Sequence, residues 1–345
     1  MNSDEIFMSR CIQLAKLGAG NVAPNPMVGA VLVCDNRIIG EGYHATYGQA
    51  HAEVNCINNV PRQYQALIEK STLYVSLEPC SHFGKTPPCS CLIIRQKIKR
   101  VVIGCRDIYE KVDGKGIEKL QNAGLEVITG VLGDQCRDLN KRFFTFHQQK
   151  RPFIILKWAQ SANGKIGSEH GQRVLISNDY SNRMVHKWRS EEAGILIGYN
   201  TALRDNPSLT SRLWKGKNPV RIVVDPLLKL PGQLKIFDGE SKTILYNLVK
   251  DSSEKNIKYI RLKTENLLEQ MLSSLYENKI QSILVEGGAK TLQFFIGQNL
   301  WDEARVVTNG QMVIGDGVGG PMMKNFKLVQ IETLFSDTIS YFTRK

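Results

Sequence analysis

The strand and helix patterns of this chain run out at Gln148 to Arg151 and start afresh at Phe153, just after Pro152. A polar stretch closed by proline ends a helix and interrupts a sheet, so the break marks a boundary between two folding units. At 345 residues the chain is long enough for two cores. The expected domains are 1–147 and 151–345.

Ahead of the break, the spacing of Ile6, Phe7, Cys11, Leu14 and Leu17 predicts an opening helix that stops near Gly18 and Gly20. Gly29 to Cys34 and Arg37 to Gly42 read as a hairpin turned at Asp35-Asn36. A helix over Ala52 to Asn58, a strand over Thr72 to Leu77, a helix near Ser90 to Gln96 and a strand over Arg100 to Cys105 follow. Gly116 to Ala123 reads as helix, Leu125 to Val131 as strand and Asp134 to His147 as one longer helix. Beyond the break the pattern gives strands at Phe153 to Trp158, Ile195 to Ile197, Val220 to Val224 and Ile283 to Val285. Helices are expected around Arg183 to Glu192, Leu267 to Glu277 and from Ala289. Strands alternating with helices predict an α/β fold in which helices cover the faces of a sheet.

All eight cysteines lie between Cys11 and Cys136, so the first unit alone carries thiol chemistry. A chain of this length with a polar start and no signal-peptide core does not suggest a disulfide framework. No apolar run is long enough to cross a bilayer, and a cytoplasmic location is expected. Cys11, Cys34, Cys56, Cys105 and Cys136 sit in apolar patterns and read as packed thiols.

Of the other three, Cys80 and Cys89 fall into a metal-binding pattern. His51-Ala52-Glu53 stands where a helix begins, and Pro79-Cys80 follows the strand ending at Leu77. Cys89, behind Pro87-Pro88, opens the next helix. Zinc held by His51, Cys80 and Cys89 keeps a fourth position for water, as hydrolysis requires. Glu53, two residues past the histidine, would move protons between water, ring nitrogen and departing amine. That chemistry is hydrolytic deamination of an amidine-like carbon. The cysteine spacing is longer than the Pro-Cys-x-x-Cys of many zinc deaminases. Cys91 lies two positions past Cys89 in the helix, faces elsewhere and is not expected to bind the metal. His44 and His82 are candidate substrate contacts or simple polar residues.

The net charge is +12, yet the basic residues are spread, apart from Lys97, Lys99 and Arg100. Small phosphorylated ligands fit such a surface better than nucleic acid, whose binding needs a basic stripe and stacking aromatics.

Three stretches carry a family resemblance: Pro24-Asn25-Pro26-Met27-Val28-Gly29-Ala30, His51-Ala52-Glu53, and Glu78-Pro79-Cys80 through Pro87-Pro88-Cys89. Together they closely resemble the bifunctional riboflavin-biosynthesis deaminase/reductases, and the resemblance runs over nearly the whole chain. It implies an N-terminal cytidine deaminase-like three-layer domain and a C-terminal dihydrofolate reductase-like α/β domain. The first would deaminate 2,5-diamino-6-ribosylamino-4(3H)-pyrimidinone 5′-phosphate, with Asn25 and Lys85 at the substrate. The second would reduce the ribosyl to a ribityl side chain with NADPH. Homo-oligomers are expected from the family.

In the second half, Val285-Glu286-Gly287-Gly288 before a helix has the strand, glycine turn, helix form that lets backbone donors approach phosphate. Gly315, Gly317, Gly319 and Gly320 read as another glycine-rich loop. By resemblance, Arg189, Leu209, Arg212 and Glu286 contact substrate, and Thr201, Asp205, Gly287 and Gly288 contact the cofactor. The planar donor fork of arginine suits phosphate at Arg189 and Arg212. Three positions depart from the family: Asp107-Ile108-Tyr109 for Asp-Pro-Asn, Asn163 where Asp often precedes Gly164, and Leu175 where some members have Trp. A live deaminase with a nucleotide-binding, non-catalytic second domain, or a nucleic-acid base deaminase, are the competing readings.

Overall fold

The computed structural model describes residues 2–83, 87–109, 112–169 and 174–345. The chain divides into two compact units, Met1–Gln149 and Lys150–Lys345.

The first unit opens with α1 (Ser3–Lys16), capped by reciprocal bonds between Asn2 and Glu5. Strands β1 (Gly29–Cys34) and β2 (Arg37–Tyr43) form a tight hairpin. Asp35 and Asn36 both take positive φ there, which matches the twist of the two strands. Next come α2 (Ala52–Asn58), β3 (Thr72–Leu77), α3 (Cys89–Arg95), β4 (Arg100–Cys105), α4 (Lys115–Asn122) and β5 (Glu126–Thr129). The sheet order is β2-β1-β3-β4-β5, antiparallel at β1 and parallel from β3 onward.

Alternate residues of a strand point to opposite faces, so β3 sends Leu73 and Val75 toward one core and Tyr74 toward the other, which Leu77 joins at the strand's end. Cys56, Ile93 and Leu120 from α2, α3 and α4 fill the first core. Met8 and Cys11 from α1, with Cys136, Phe143 and Phe144, fill the second. The result is three layers, as the resemblance implied. At Gly42 a Cβ would sit 2.2 Å from the Cys56 nitrogen, so only glycine lets α2 lie this close to the hairpin.

The expected single helix over Asp134 to His147 is two: α5 (Gly133–Leu139) and α6 (Lys141–Gln149). The break falls at buried Asn140, whose amide accepts from Met27 N–H at 2.8 Å and donates to Met27 C=O at 2.9 Å. Satisfying both backbone groups of a distant turn outweighs continuing the helix.

The second unit is anchored at its start by Arg151, whose guanidinium grips Asp302 at 2.6 and 2.7 Å while Asp302 also accepts from Ile154 N–H. Its elements are β6 (Phe153–Ser161), β7 (Lys165–Ser168), α7 (Asp179–Glu191), β8 (Gly194–Gly198), α8 (Tyr199–Asp205), β9 (Val220–Val224), β10 (Thr243–Asn247), β11 (Ser252–Glu254) and β12 (Ile257–Arg261). Then follow α9 (Leu267–Glu277), β13 (Ser282–Val285), α10 (Ala289–Gly297), β14 (Glu303–Asn309), β15 (Gly317–Gly319), β16 (Phe326–Leu334) and β17 (Asp337–Arg344). Ten strands form one sheet in the order β11-β12-β10-β9-β8-β13-β6-β14-β17-β16, parallel from β12 to β14. Leu272 and Phe295 from α9 and α10 pack one face, while Val185 and Trp188 from α7 and Ala202 from α8 pack the other. The glycine-rich loop expected at 315–320 is in part strand: β15 pairs with β7.

Candidate active site

The first cluster grows from three local choices of the chain. His51 is the N-cap of α2, but its ring makes no capping bond and turns instead toward two thiols. Cys80 follows the end of β3, and Cys89 begins α3 behind Pro88. His51 Nδ1 lies 3.6 Å from Cys80 Sγ and 3.4 Å from Cys89 Sγ, and all three ligand atoms lie within 4.8 Å of one another. A tetrahedral zinc, with bonds of about 2.3 Å to sulfur and about 2.0 Å to nitrogen, holds such atoms about 3.5 Å apart. The three side chains therefore fit that ion, with one position left over.

Hydrogen bonding from Cys89, and further bonds from His51 and the Cys89 N–H, lower the Cys80 pKa, so this sulfur takes the thiolate form that metals bind. The Cys80 thiolate in turn raises the pKa of His51. Glu53, on the first turn of α2, is 3% exposed. Burial, reinforced by Cys80, pushes its carboxyl up to about 7. A buried carboxyl poised near neutrality beside a metal-binding cluster suits proton transfer.

Cys91 points away from the cluster, and its Sγ is 2.9 Å from Lys119 Nζ. Cys89→Ser is expected to bind zinc at least about 100-fold more weakly than wild type, whereas Cys91→Ser keeps its zinc. Elemental analysis after dialysis checks both.

Around the cluster, His44 Nε2 meets the Asn25 amide at 3.2 Å, and its ring lies edge-on to His51 at 5.4 Å. His82 and Tyr109 rings are 6.3 Å apart. Asp107 is buried, which pushes its carboxyl up to about 6, and it accepts from Tyr109 N–H. Lys85 lies outside the described residues. One residue the sequence reading left without a role is Glu78: its carboxylate gathers the N–H groups of Asp107, Gly114, Gly116 and Ile117. It thereby fixes the loop after β4 against the segment bearing Cys80. Its signal was an acid directly before Pro79-Cys80 in a buried strand end.

In the second unit a cleft of about 920 Å³ opens at the carboxyl ends of β6, β8 and β13, where parallel sheets bind ligands. Arg189, Thr201, Asp205 and Leu209 line it, as do Arg212, Glu286, Gly287 and Gly288. Exposed Leu175 lines it too. Asn163 does not: its amide ties the turn after β6 to Ile314.

Two details differ from the sequence reading. The fork of Arg189 is already engaged, with Nε and Nη2 on the Glu286 carboxylate at 2.9 and 2.8 Å and Nη1 on Thr210 C=O. Arg212 is exposed and, among the described residues, has no carboxylate partner, so it keeps the free fork that suits phosphate. The glycines also serve packing. A Cβ at Gly198 would meet Thr291 Oγ1 at 2.4 Å, one at Gly287 would meet Thr291 Cβ at 2.8 Å, and the Gly288 N–H donates to Thr201 Oγ1.

Lys157 and His186 were not singled out from sequence. Lys157 Nζ is 4.0 Å from Glu286, and burial lowers its pKa. Its signal was a lysine inside the apolar run of β6. His186 is buried on the cleft wall, where desolvation, Arg189 and Arg212 push it down to about 4. Burial alone would raise Glu286, but Arg189 and Lys157 together hold it at about 2.

Comparison with known proteins matches both units. Residues 1–105 match the cytidine and deoxycytidylate deaminase zinc-binding region, and residues 152–340 match the RibD C-terminal domain. The riboflavin biosynthesis protein RibD of Aquifex aeolicus is 37% identical over 99% of this chain and 98% of its own. That of Bacillus amyloliquefaciens is 40% identical over 87% of this chain and 82% of its own. A crystal structure from Thermotoga maritima is described as a diaminohydroxyphosphoribosylaminopyrimidine deaminase/5-amino-6-(5-phosphoribosylamino)uracil reductase. It superposes with a TM-score of 0.91 at 38% identity, covering 99% of both chains. With both halves matched and relatives aligned from end to end, the chain belongs to the RibD family, the bifunctional deaminase/reductases of riboflavin biosynthesis.

Proposed function

We propose that the first unit hydrolyses the 2-amino group of 2,5-diamino-6-ribosylamino-4(3H)-pyrimidinone 5′-phosphate, and that the second reduces the ribosyl of the product to ribityl with NADPH. The observation that carries this reading is a three-ligand cluster of zinc-binding spacing beside a buried, uncoordinated carboxyl, Glu53.

Zinc bound by His51, Cys80 and Cys89 supplies a Lewis acid that brings the pKa of water toward neutrality. Glu53 takes one proton from the attacking water and gives it to the ring nitrogen, then takes the second from the hydroxyl now on the ring carbon and gives it to the departing amine. Asn25 and Lys85 hold the pyrimidine ribotide. Ammonia leaves.

In the second unit NADPH supplies the hydride for C1′. Thr201, Asp205, Gly287 and Gly288 bind the cofactor, and Leu209, Arg212 and Glu286 face the substrate. Arg189 contributes chiefly by holding the Glu286 carboxylate in place. The walls of the cleft align the reactants and exclude water.

We expect a cytoplasmic location from the polar start and the lack of a bilayer-length apolar run, and a homo-oligomer from the family resemblance. Among the described residues no helix is long and apolar enough to cross a membrane. The test is incubation of the zinc-loaded chain with the diamino ribotide, with and without NADPH, followed by mass analysis. The expected products are the aminouracil ribotide without NADPH and its ribityl form, two hydrogens heavier, with NADPH. Unchanged substrate would refute the first step, and accumulation of the aminouracil ribotide despite NADPH would refute the second.

A further inference from the structure

Buried polar side chains that do no chemistry still decide which way their neighbours face, and His44 does this beside the zinc-binding cluster. It follows β2 directly, is 2% exposed, and has a partner at each ring nitrogen. Nδ1 lies 3.1 Å from Ala50 C=O, and Nε2 lies 3.2 Å from Asn25 Nδ2. A carbonyl oxygen only accepts, so Nδ1 must carry the proton. In the neutral ring Nε2 then has only a lone pair to offer, and its partner must be a donor. The Asn25 amide is the group that meets that requirement, through its NH2.

An asparagine amide otherwise rotates between two nearly equivalent positions, exchanging oxygen and nitrogen. Pinning the NH2 on His44 removes that freedom. Among the described residues no group donates to Asn25 Oδ1, so this oxygen is left to accept a hydrogen bond from outside the chain. The backbone around Asn25 is held as well, by its own N–H on Val22 C=O and by the two bonds between Met27 and Asn140.

We infer that His44 is a positioning residue which, through the Ala50–His44–Asn25 chain, fixes Asn25 with Oδ1 toward the ligand and so selects a ring edge that presents N–H or NH2. This rests on the proposed deamination of an aminopyrimidine, whose ring edge is of that kind. A ring edge presenting a lone pair would face another lone pair and lose the bond.

The test is a two-residue cycle measured on deamination by the zinc-loaded, full-length enzyme. His44→Phe keeps the ring volume but removes both nitrogens; KM is expected to rise about 10- to 100-fold, with zinc content and reduction unchanged. Asn25→Ala gives a loss of similar size. In the Asn25→Ala background, His44→Phe adds less than about threefold, because its effect travels through the amide already removed. His44→Gln, whose Oε1 accepts near the position of Nε2, recovers most of the KM. This variant also keeps the question answerable if the phenyl ring unfolds the unit.

Full additional loss from His44→Phe in the Asn25→Ala background would overturn the inference. A wild-type KM in His44→Phe would do so as well, as would a His44→Gln enzyme that retains zinc but binds as poorly as Asn25→Ala. Absence of deamination in the wild-type enzyme would instead strike at the assignment of the reaction.

Discussion

Glu53→Gln is expected to retain its zinc and lose deamination by about 10²- to 10⁴-fold in kcat, the usual contribution of a positioned general acid–base. Glutamine has nearly the volume of glutamate, so the 3%-exposed site on α2 stays filled and the ligand atoms of His51, Cys80 and Cys89 keep their spacing. What is lost is a group able to take a proton from water and return it to the leaving amine. Burial has already raised the Glu53 carboxyl to about 7, close to the value at which one group serves as both base and acid. Reduction of the deaminated ribotide should be untouched. Steady-state deamination rates beside metal content decide the matter: a zinc-loaded Glu53→Gln enzyme working at the wild-type rate would remove Glu53 from the reaction.

Glu286→Gln should damage the second unit in two ways, by abolishing productive reduction and by lowering its stability by roughly 3–5 kcal/mol, the usual cost of leaving buried charges unpaired. The Glu286 and Arg189 side chains are 9% and 13% exposed, and Lys157 is buried beside them. Removing the one anion strands two cations on the cleft floor. The carboxylate is held at about 2 against an ordinary value of about 4.3 in an unfolded chain, so its stabilising contribution is complete above the latter value. It fades as pH falls from there toward 2. Denaturant melts of the two proteins should therefore differ most near neutrality and converge under acid. Equal stability at pH 7 would show that the pair contributes nothing net.

Much of this was legible in the sequence because local signals and tertiary demands agreed. The hairpin was readable from Asp35-Asn36 and alternation, and the grouping that could hold a metal ion from a histidine and two cysteines at element ends. Where they disagreed, the sequence misled. Asn140 sits in a helical pattern, but its amide is committed to Met27, 113 positions away, and nothing in the local pattern announces that. Strand β14 escaped notice because Glu303 and Arg305, normally signs of exposure, are buried as a pair at 2.6 Å. Strand β16 is exposed along almost its whole length and lacks the alternation that marks a half-buried strand. In the cleft, the sequence did not show which acid engages Arg189, because Glu286 is 97 positions distant. Lys157 and His186 needed the packed cleft to show that they share a site.

The Asn140 clamp bears on how small a working deaminase could be made. The recognised zinc-binding region ends at residue 105, and a fragment cut there would still contain every proposed metal ligand and Glu53. It would nonetheless forfeit the amide that fastens the segment two residues beyond Asn25, together with the Phe143 and Phe144 rings sealing that face of the sheet. Engineers seeking a minimal catalyst should therefore keep the chain through Gln149, where the first compact unit closes.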